Sequence, residues 1–192
     1  MMKSDVQSFF IDAIDVDSGA AVEAAENFSA SKWGDSLRSI HSSLEDYSEL
    51  LRSRDFGLVC KYDVIFSNPP YFDFSLQSPD ARRAAARNSD VGLSYREIID
   101  FAVEFLSDRG RLSLVLPSSV EGDLIGYALS RGLSPFRIVR ARSVARKAPV
   151  RIIAEFSFAH NDSPEELLLT INGEGGYTSE YTEFVRDFYL NL

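Results

Sequence analysis

The stretch Asp63-Val64-Ile65-Phe66-Ser67-Asn68-Pro69-Pro70-Tyr71 leaves this chain few ways to fold. Val64, Ile65 and Phe66 form a continuous apolar run of β-formers, which predicts a buried strand covered on both faces. The run stops at Pro69 and Pro70, neither of which has a backbone N–H with which to extend a ladder. Asn68 precedes a proline, so its backbone is pushed to the extended region. The result is a stiff loop carrying an amide side chain, carbonyls without competing donors, and an aromatic ring. Such a loop suits an exocyclic amine on a flat base. The Asn68 side-chain oxygen and the Pro69 carbonyl can accept the amine hydrogens, which turns the nitrogen lone pair toward an electrophile. Tyr71, with Phe72 beside it, offers a face on which a flipped-out base can stack. The alternative is a Pro-Pro turn that merely closes a strand.

A chain of 192 residues supports a single domain over 1–192 with a real core. Its single cysteine, Cys60, excludes an internal disulfide framework and suits a reducing cytoplasm. No secretory signal and no membrane-crossing run is found. His41 and His160 stand apart from other ligating residues and read as structural, so no metal is expected. The net charge of −9 argues against nucleic acid only if charge is evenly spread. It is not. From Phe136 to Arg151 the chain carries Arg137, Arg140, Arg142, Arg146, Lys147 and Arg151 and no acid, and Arg82, Arg83 and Arg87 form a second basic cluster. Segments of this kind can hold a phosphate backbone. Their other reading is a sheet edge kept from aggregating by charge.

Taken in order, the chain alternates strands and helices. Phe9–Val16 reads as a strand ending in Asp15 and Asp17. Ser18 then caps a helix to about Ser29, with Ala21, Val22, Ala25 and Phe28 on one face. Leu37–His41 is a short strand, and Leu44–Asp55 a short helix and turn. The polar stretch from Asp73 to Gly92 is long for an idle connection. Leu93–Asp108 is an amphipathic helix with Gly110 as its stop. Arg111–Leu116 is a strand, Ser118 or Ser119 starts a helix to about Ser130, and Gly132 ends it. Phe136–Val144 and Val150–Phe158 read as an antiparallel edge pair joined by a basic turn. A strand at Leu167–Ile171, a glycine turn at 173–176 and a helix from Ser179 to about Leu190 complete the pattern. Alternation of this type predicts an α/β sheet with helices on both faces.

At its central motif the sequence resembles the S-adenosylmethionine-dependent amino methyltransferases, whose signature is Asn/Asp/Ser-Pro-Pro-aromatic at the end of the fourth strand. Ile14-Asp15-Val16-Asp17-Ser18, the Asn-Pro-Pro-Tyr element, Val150–Ser157 and the tail Tyr177–Leu190 are similar to the bacterial valine-tRNA adenine-N6 methyltransferase family. The resemblance runs from about Phe10 to the C-terminus. It implies a Rossmann-like methyltransferase sheet with antiparallel edge strands near the C-terminus, S-adenosyl-L-methionine as cofactor, tRNA as partner, and methylation of the adenine just 3′ of the anticodon. No membrane association is implied, and a cytoplasmic monomer is expected. The implied catalytic residues are Asn68, Pro69, Pro70 and Tyr71. Asp15 matches the strand-end acid that accepts ribose hydroxyls. Asp17 is its neighbour, Ser43 and Leu44 match the positions beside the cofactor adenine, and Asn68 also reaches the cofactor. Arg82, Arg83, Arg87, Arg140, Arg142, Arg146 and Lys147 are candidates for the RNA backbone, with 73–92 as a flap beside the base. The Gly-rich loop and first strand that normally precede Asp15 are not found, so the chain is expected to be an N-terminally incomplete methyltransferase. Glutamine-amide methylation of a release factor, and a non-enzymatic RNA-binding remnant, are the alternative functions.

Overall fold

The computed structural model describes residues 9–53, 61–69 and 93–189. They belong to two compact units, Met1–Val59 and Cys60–Leu192.

In the first unit, β1 (Ile11–Asp15) and β2 (Leu37–His41) pair in parallel, with Ile11 opposite Leu37 and Asp15 opposite His41. A parallel pair needs a crossover, and α1 (Ser18–Ala30) supplies it, followed by a short 3-10 turn at Gly34–Ser36. After β2 comes α2 (Leu44–Ser53), which buries Tyr47, Ser48 and Leu51. The capping residue of α1 is Asp17 rather than Ser18. Its carboxylate accepts from the Ala20 N–H at 2.8 Å, and Ser18 is the first helical residue. The expected apolar face of α1 is also thinner than its sequence suggests, for Ala21 is buried while Val22 is exposed.

The second unit is built on a six-stranded sheet. Its strands are β3 (Tyr62–Ser67), β4 (Leu106–Pro117), β5 (Ser134–Val144), β6 (Arg151–Ser157), β7 (Glu165–Gly173) and β8 (Gly176–Tyr177), in the order β3-β4-β6-β5-β7-β8. Strands β3 and β4 are parallel, β6 runs antiparallel between β4 and β5, and β7 lies parallel to β5. The helices are α3 (Tyr95–Phe105), α4 (Glu121–Ser130) and α5 (Ser179–Val185). Leu112, Leu114, Ile152, Ala154 and Phe156 are fully buried, together with Ile99, Ala102 and Phe105 of α3 and Leu124 and Ala128 of α4. Each large side chain of this set contributes about 1.5–3 kcal/mol of burial.

Three expectations are corrected here. First, β3 is not covered on both faces. Val64 is 41% and Phe66 65% exposed, on the one face from which alternate side chains of β3 project, and among the described residues β3 pairs with β4 alone. Second, the pair β5–β6 is antiparallel as expected, but it lies inside the sheet. Beyond it on one side lie β7 and then β8, which is antiparallel to β7, and on the other side lie β4 and β3. Third, α3 stops at Phe105, and the chain passes straight into β4 at Leu106, whose backbone is extended and opposite Tyr62. Gly110 is needed for packing instead of capping: a Cβ there would fall 2.7 Å from Leu106 Cγ and Cδ1. Helix α3 starts with a capping box, in which Ser94 Oγ accepts from the Glu97 N–H at 3.3 Å and Glu97 Oε2 accepts from the Ser94 N–H at 2.8 Å. Gly132 takes a left-handed turn (φ +84°) where a glycine stop was expected after α4.

Candidate active site and its surroundings

In the first unit the polar residues gather at the C-terminal ends of β1 and β2. Asp15 follows the last apolar residue of β1, and its Oδ1 accepts from the Asp17 N–H at 2.8 Å. The second carboxylate oxygen has no partner among the described residues. Asp17 is taken up by its cap on α1. The Ser42 N–H donates to the Asp15 carbonyl at 2.9 Å, and His41 Nε2 lies 3.1 Å from the Val16 carbonyl, which fixes an Nε2–H tautomer if it donates. His41 is thus structural, as its isolation in the sequence suggested, yet it holds the backbone next to Asp15. That contact had no sequence signal. Ser43 caps α2: its hydroxyl donates to Asp46 Oδ2 at 2.7 Å and accepts from the Asp46 N–H at 3.0 Å. Its side chain is therefore committed, while Leu44 opens the helix.

In the second unit, Asn68 and Pro69 follow β3 directly, Asn68 exposed and Pro69 buried. Parallel pairing sets Ser67 opposite Leu114, so the motif starts beside the rigid, buried β4. Pro70, Tyr71, the flap 73–92 with Arg82, Arg83 and Arg87, and Cys60 all lie outside the described residues.

The basic segment divides in two. Arg140 is gripped by Glu121 (Nε–Oε1 2.9 Å) and Glu166 (Nη1–Oε2 2.7 Å), which pushes its already high pKa further up. Arg137 is paired with Glu165 at 2.7 Å and lies 3.7 Å from Glu155. Arg142 donates to Thr170 Oγ1 at 2.9 Å. Arg146 and Lys147, in the exposed turn after β5, have no side-chain partner among the described residues. The alternation of Arg140 and Arg142 along β5 was legible, but the carboxylates that meet Arg140 come from α4 and β7, far away in sequence.

A further cluster joins the starts of α3 and α4. The Tyr95 hydroxyl and Arg96 (2.7 Å) both donate to Asp123, and Arg96 lies 4.7 Å over the Tyr127 ring. The Tyr95 hydrogen bond and then Arg96 hold the Asp123 carboxyl below its ordinary range. Among the described residues no group of His, Cys, Asp and Glu could hold a metal ion, and no helix is long and apolar enough to cross a membrane.

The crystal structure of a predicted O-methyltransferase from Agrobacterium tumefaciens superposes with a TM-score of 0.57 at 15% identity, covering 92% of this chain and 74% of that one. Together with the strand order, this defines a Rossmann-like methyltransferase fold. No family model matches the chain. Curated relatives do. One from Bacteroides fragilis is 36% identical over 180 residues, 94% of this chain and 73% of its own length, and is named tRNA1(Val) (adenine(37)-N6)-methyltransferase. Proteins of the same name from Christiangramia forsetii (34% over 191 residues, 99% and 76%) and Photobacterium profundum (32% over 182 residues, 94% and 72%) also align. The chain belongs to the tRNA1(Val) (adenine(37)-N6)-methyltransferase family.

Proposed function

We propose that this protein transfers a methyl group from S-adenosyl-L-methionine to the N6 amine of adenine 37, next to the anticodon of a valine tRNA, in the cytoplasm. The observation that carries the reading is the Asn68–Pro69 step at the end of β3, in a chain 36% identical to a relative named for that reaction. The relatives lend no support to a glutamine-amide substrate or to a non-catalytic role.

Asn68 and Pro69 orient the amine by accepting its hydrogens, so the nitrogen lone pair lies in line with the methyl carbon. Tyr71 stacks the flipped base, and Pro70 stiffens the loop. The amine loses its proton after the new N–C bond forms, so no strong base is required. When bound, S-adenosylmethionine supplies an electrophilic methyl group. The acceptor at the end of β1 fits its ribose: one Asp15 oxygen accepts from the Asp17 N–H, and the other is open to hydroxyl donors. With the Ser43 hydroxyl committed to its cap and the Ser43 carbonyl accepting from Tyr47 N–H and Ser42 Oγ, the N–H groups of Ser43 and Leu44 are what remain to meet the adenine. Arg82, Arg83 and Arg87 steer the RNA. Arg140 and Arg142 shape the surface below it, and Arg146 and Lys147 meet its phosphates. The test is transfer of a labelled methyl group to valine tRNA. Asn68→Ala should lower transfer about 10²- to 10³-fold and leave tRNA affinity nearly intact; equal turnover by that variant would sink the assignment.

A further inference from the structure

Within the second unit, the pairing directions place several chain segments at one end of a single sheet. The C-terminal ends of β3, β4, β5 and β7 all point the same way. Ser67, just before the motif, lies in the row Ser67–Leu114–Ala154–Ile138. Strand β5 does not stop at that row. It continues from Ile138 to Val144, a further rise of about 20 Å at ordinary strand geometry. Strand β7 follows it, with Arg142 opposite Thr170 and Val144 opposite Asn172, while β6 drops out of pairing at Arg151. A narrow arm therefore rises past the motif row, with Arg146 and Lys147 at its tip.

The arm is braced below that tip. The Lys147 N–H closes the turn on the Val144 carbonyl at 3.0 Å, and the Val150 N–H reaches the Ala141 carbonyl at 2.9 Å. Ser118 Oγ, at the end of β4, donates to the Pro149 carbonyl at 2.7 Å, and Asn172 Nδ2 donates to the Ser143 carbonyl at 3.1 Å. The backbone of the turn is thus tied to β4 on one side and to β7 on the other, yet its two cations are left exposed. Arg137 and Arg140, lower on the same strand, are neutralised by carboxylates. A preorganised pair of unneutralised cations suits a polyanion whose charges are regularly spaced, and costs little ordering when it binds.

We infer that the arm formed by the end of β5 and the turn after it grips the sugar–phosphate backbone of the stem that closes the target loop, with Arg146 and Lys147 as the contacts. This rests on the proposed tRNA substrate and specifies it further. A reach of about 20 Å along the strands carries the contact beyond the reacting base and its neighbours. The substrate is then a folded hairpin, held by its stem, and a free adenosine or the strand of the loop alone lacks the stem phosphates that the arm meets. The contact reads charge and shape, not sequence.

The test measures binding of an anticodon-arm hairpin, and of the linear strand of its loop, as a function of salt. Reversing both exposed charges, Arg146→Glu with Lys147→Glu, should lower hairpin affinity at least about tenfold and reduce the slope of log affinity against log salt by about 1.4 to 1.8. Affinity for the linear strand should stay unchanged. A milder pair, Arg146→Gln with Lys147→Gln, should give the same change of slope with a smaller loss of affinity. An unchanged hairpin slope, or an equal loss on both RNAs, overturns the inference. Failure of the wild-type protein to methylate the hairpin, with the slope effect present, would instead remove the proposed reaction and leave the arm standing.

Discussion

Strands β3 and β4 run side by side in parallel and are treated very differently by the rest of the unit. Leu112, Leu114 and Leu116 of β4 are buried, α3 packs against the strand, and β6 closes its other edge. Strand β3 leaves Val64 and Phe66 in the open and leads into Asn68 and Pro69, the residues proposed to handle the substrate. Stability sits in the one strand and chemistry in the next. An active loop needs a fixed base but gains nothing from being buried itself, and pairing with β4 provides that base.

The largest expected effect tests the stable side. Phe156, fully buried where β6 meets β4, should cost about 3–5 kcal/mol on replacement by alanine, read by denaturant unfolding. The same change at Phe66, 65% exposed, should stay within about 0.5 kcal/mol. A cost at Phe66 near that of Phe156 would erase the contrast. On the chemical side, Asn68→Ala should lower kcat about 10²- to 10³-fold, as for loss of one oriented hydrogen-bonding group, with the unfolding midpoint unchanged. If the midpoint falls with the rate, the two roles are not separate. Ser94→Ala removes the capping box of the helix that covers β4, and should cost about 1 kcal/mol of stability with no change in kcat. The smallest effect concerns acid. The folded pKa of Asp123 is depressed, so its stabilisation is complete above its ordinary value of 3.8 and is lost as pH falls through the lower folded value. Acid melts of the wild type should therefore drop slightly more steeply in that window than those of Asp123→Asn. Solvent keeps the difference small, because both charged partners are about half exposed. Parallel curves would show that the clasp between α3 and α4 contributes nothing.

Much of this arrangement can be read from local pattern. The strand before Asn68, the amphipathic α3, the turn at Gly132 and the hairpin at 173–176 each announce themselves within a few residues. What pattern alone does not carry is the identity of neighbours. The apolar run at 64–66 specifies a strand, but only the tertiary structure shows that β3 pairs with β4 alone among the described residues and that the face bearing Phe66 is bare. The antiparallel pairing of β5 and β6 follows from their short connection, whereas the insertion of β6 against β4 depends on long-range register. Asp17 and Ser18 are both good caps, and the carboxylate won because its oxygen reaches the Ala20 N–H. The same holds at the candidate site. Asp15 at the end of β1, and Asn68 and Pro69 just after β3, stand at the strand ends that their sequence context predicts. The loss of Arg140 to Glu121 and Glu166 is not predicted, since those acids are brought to it only by the tertiary fold.

The strand order also has a consequence in time. Strands β5 and β6 are joined by a tight turn and can close early, and β7 and β8 add to them through similarly short connections. Strand β3 must wait for β4, from which it is separated by the stretch 68–94 and all of α3. Closing so long a loop is entropically late. The sheet is expected to grow outward from the β5–β6 hairpin, with β3 and the Asn68–Pro69 step that follows it seated last. In amide hydrogen exchange that segment should also be the first to open, with the Ser67–Asn68 region losing protection well before Ile152 and Phe156.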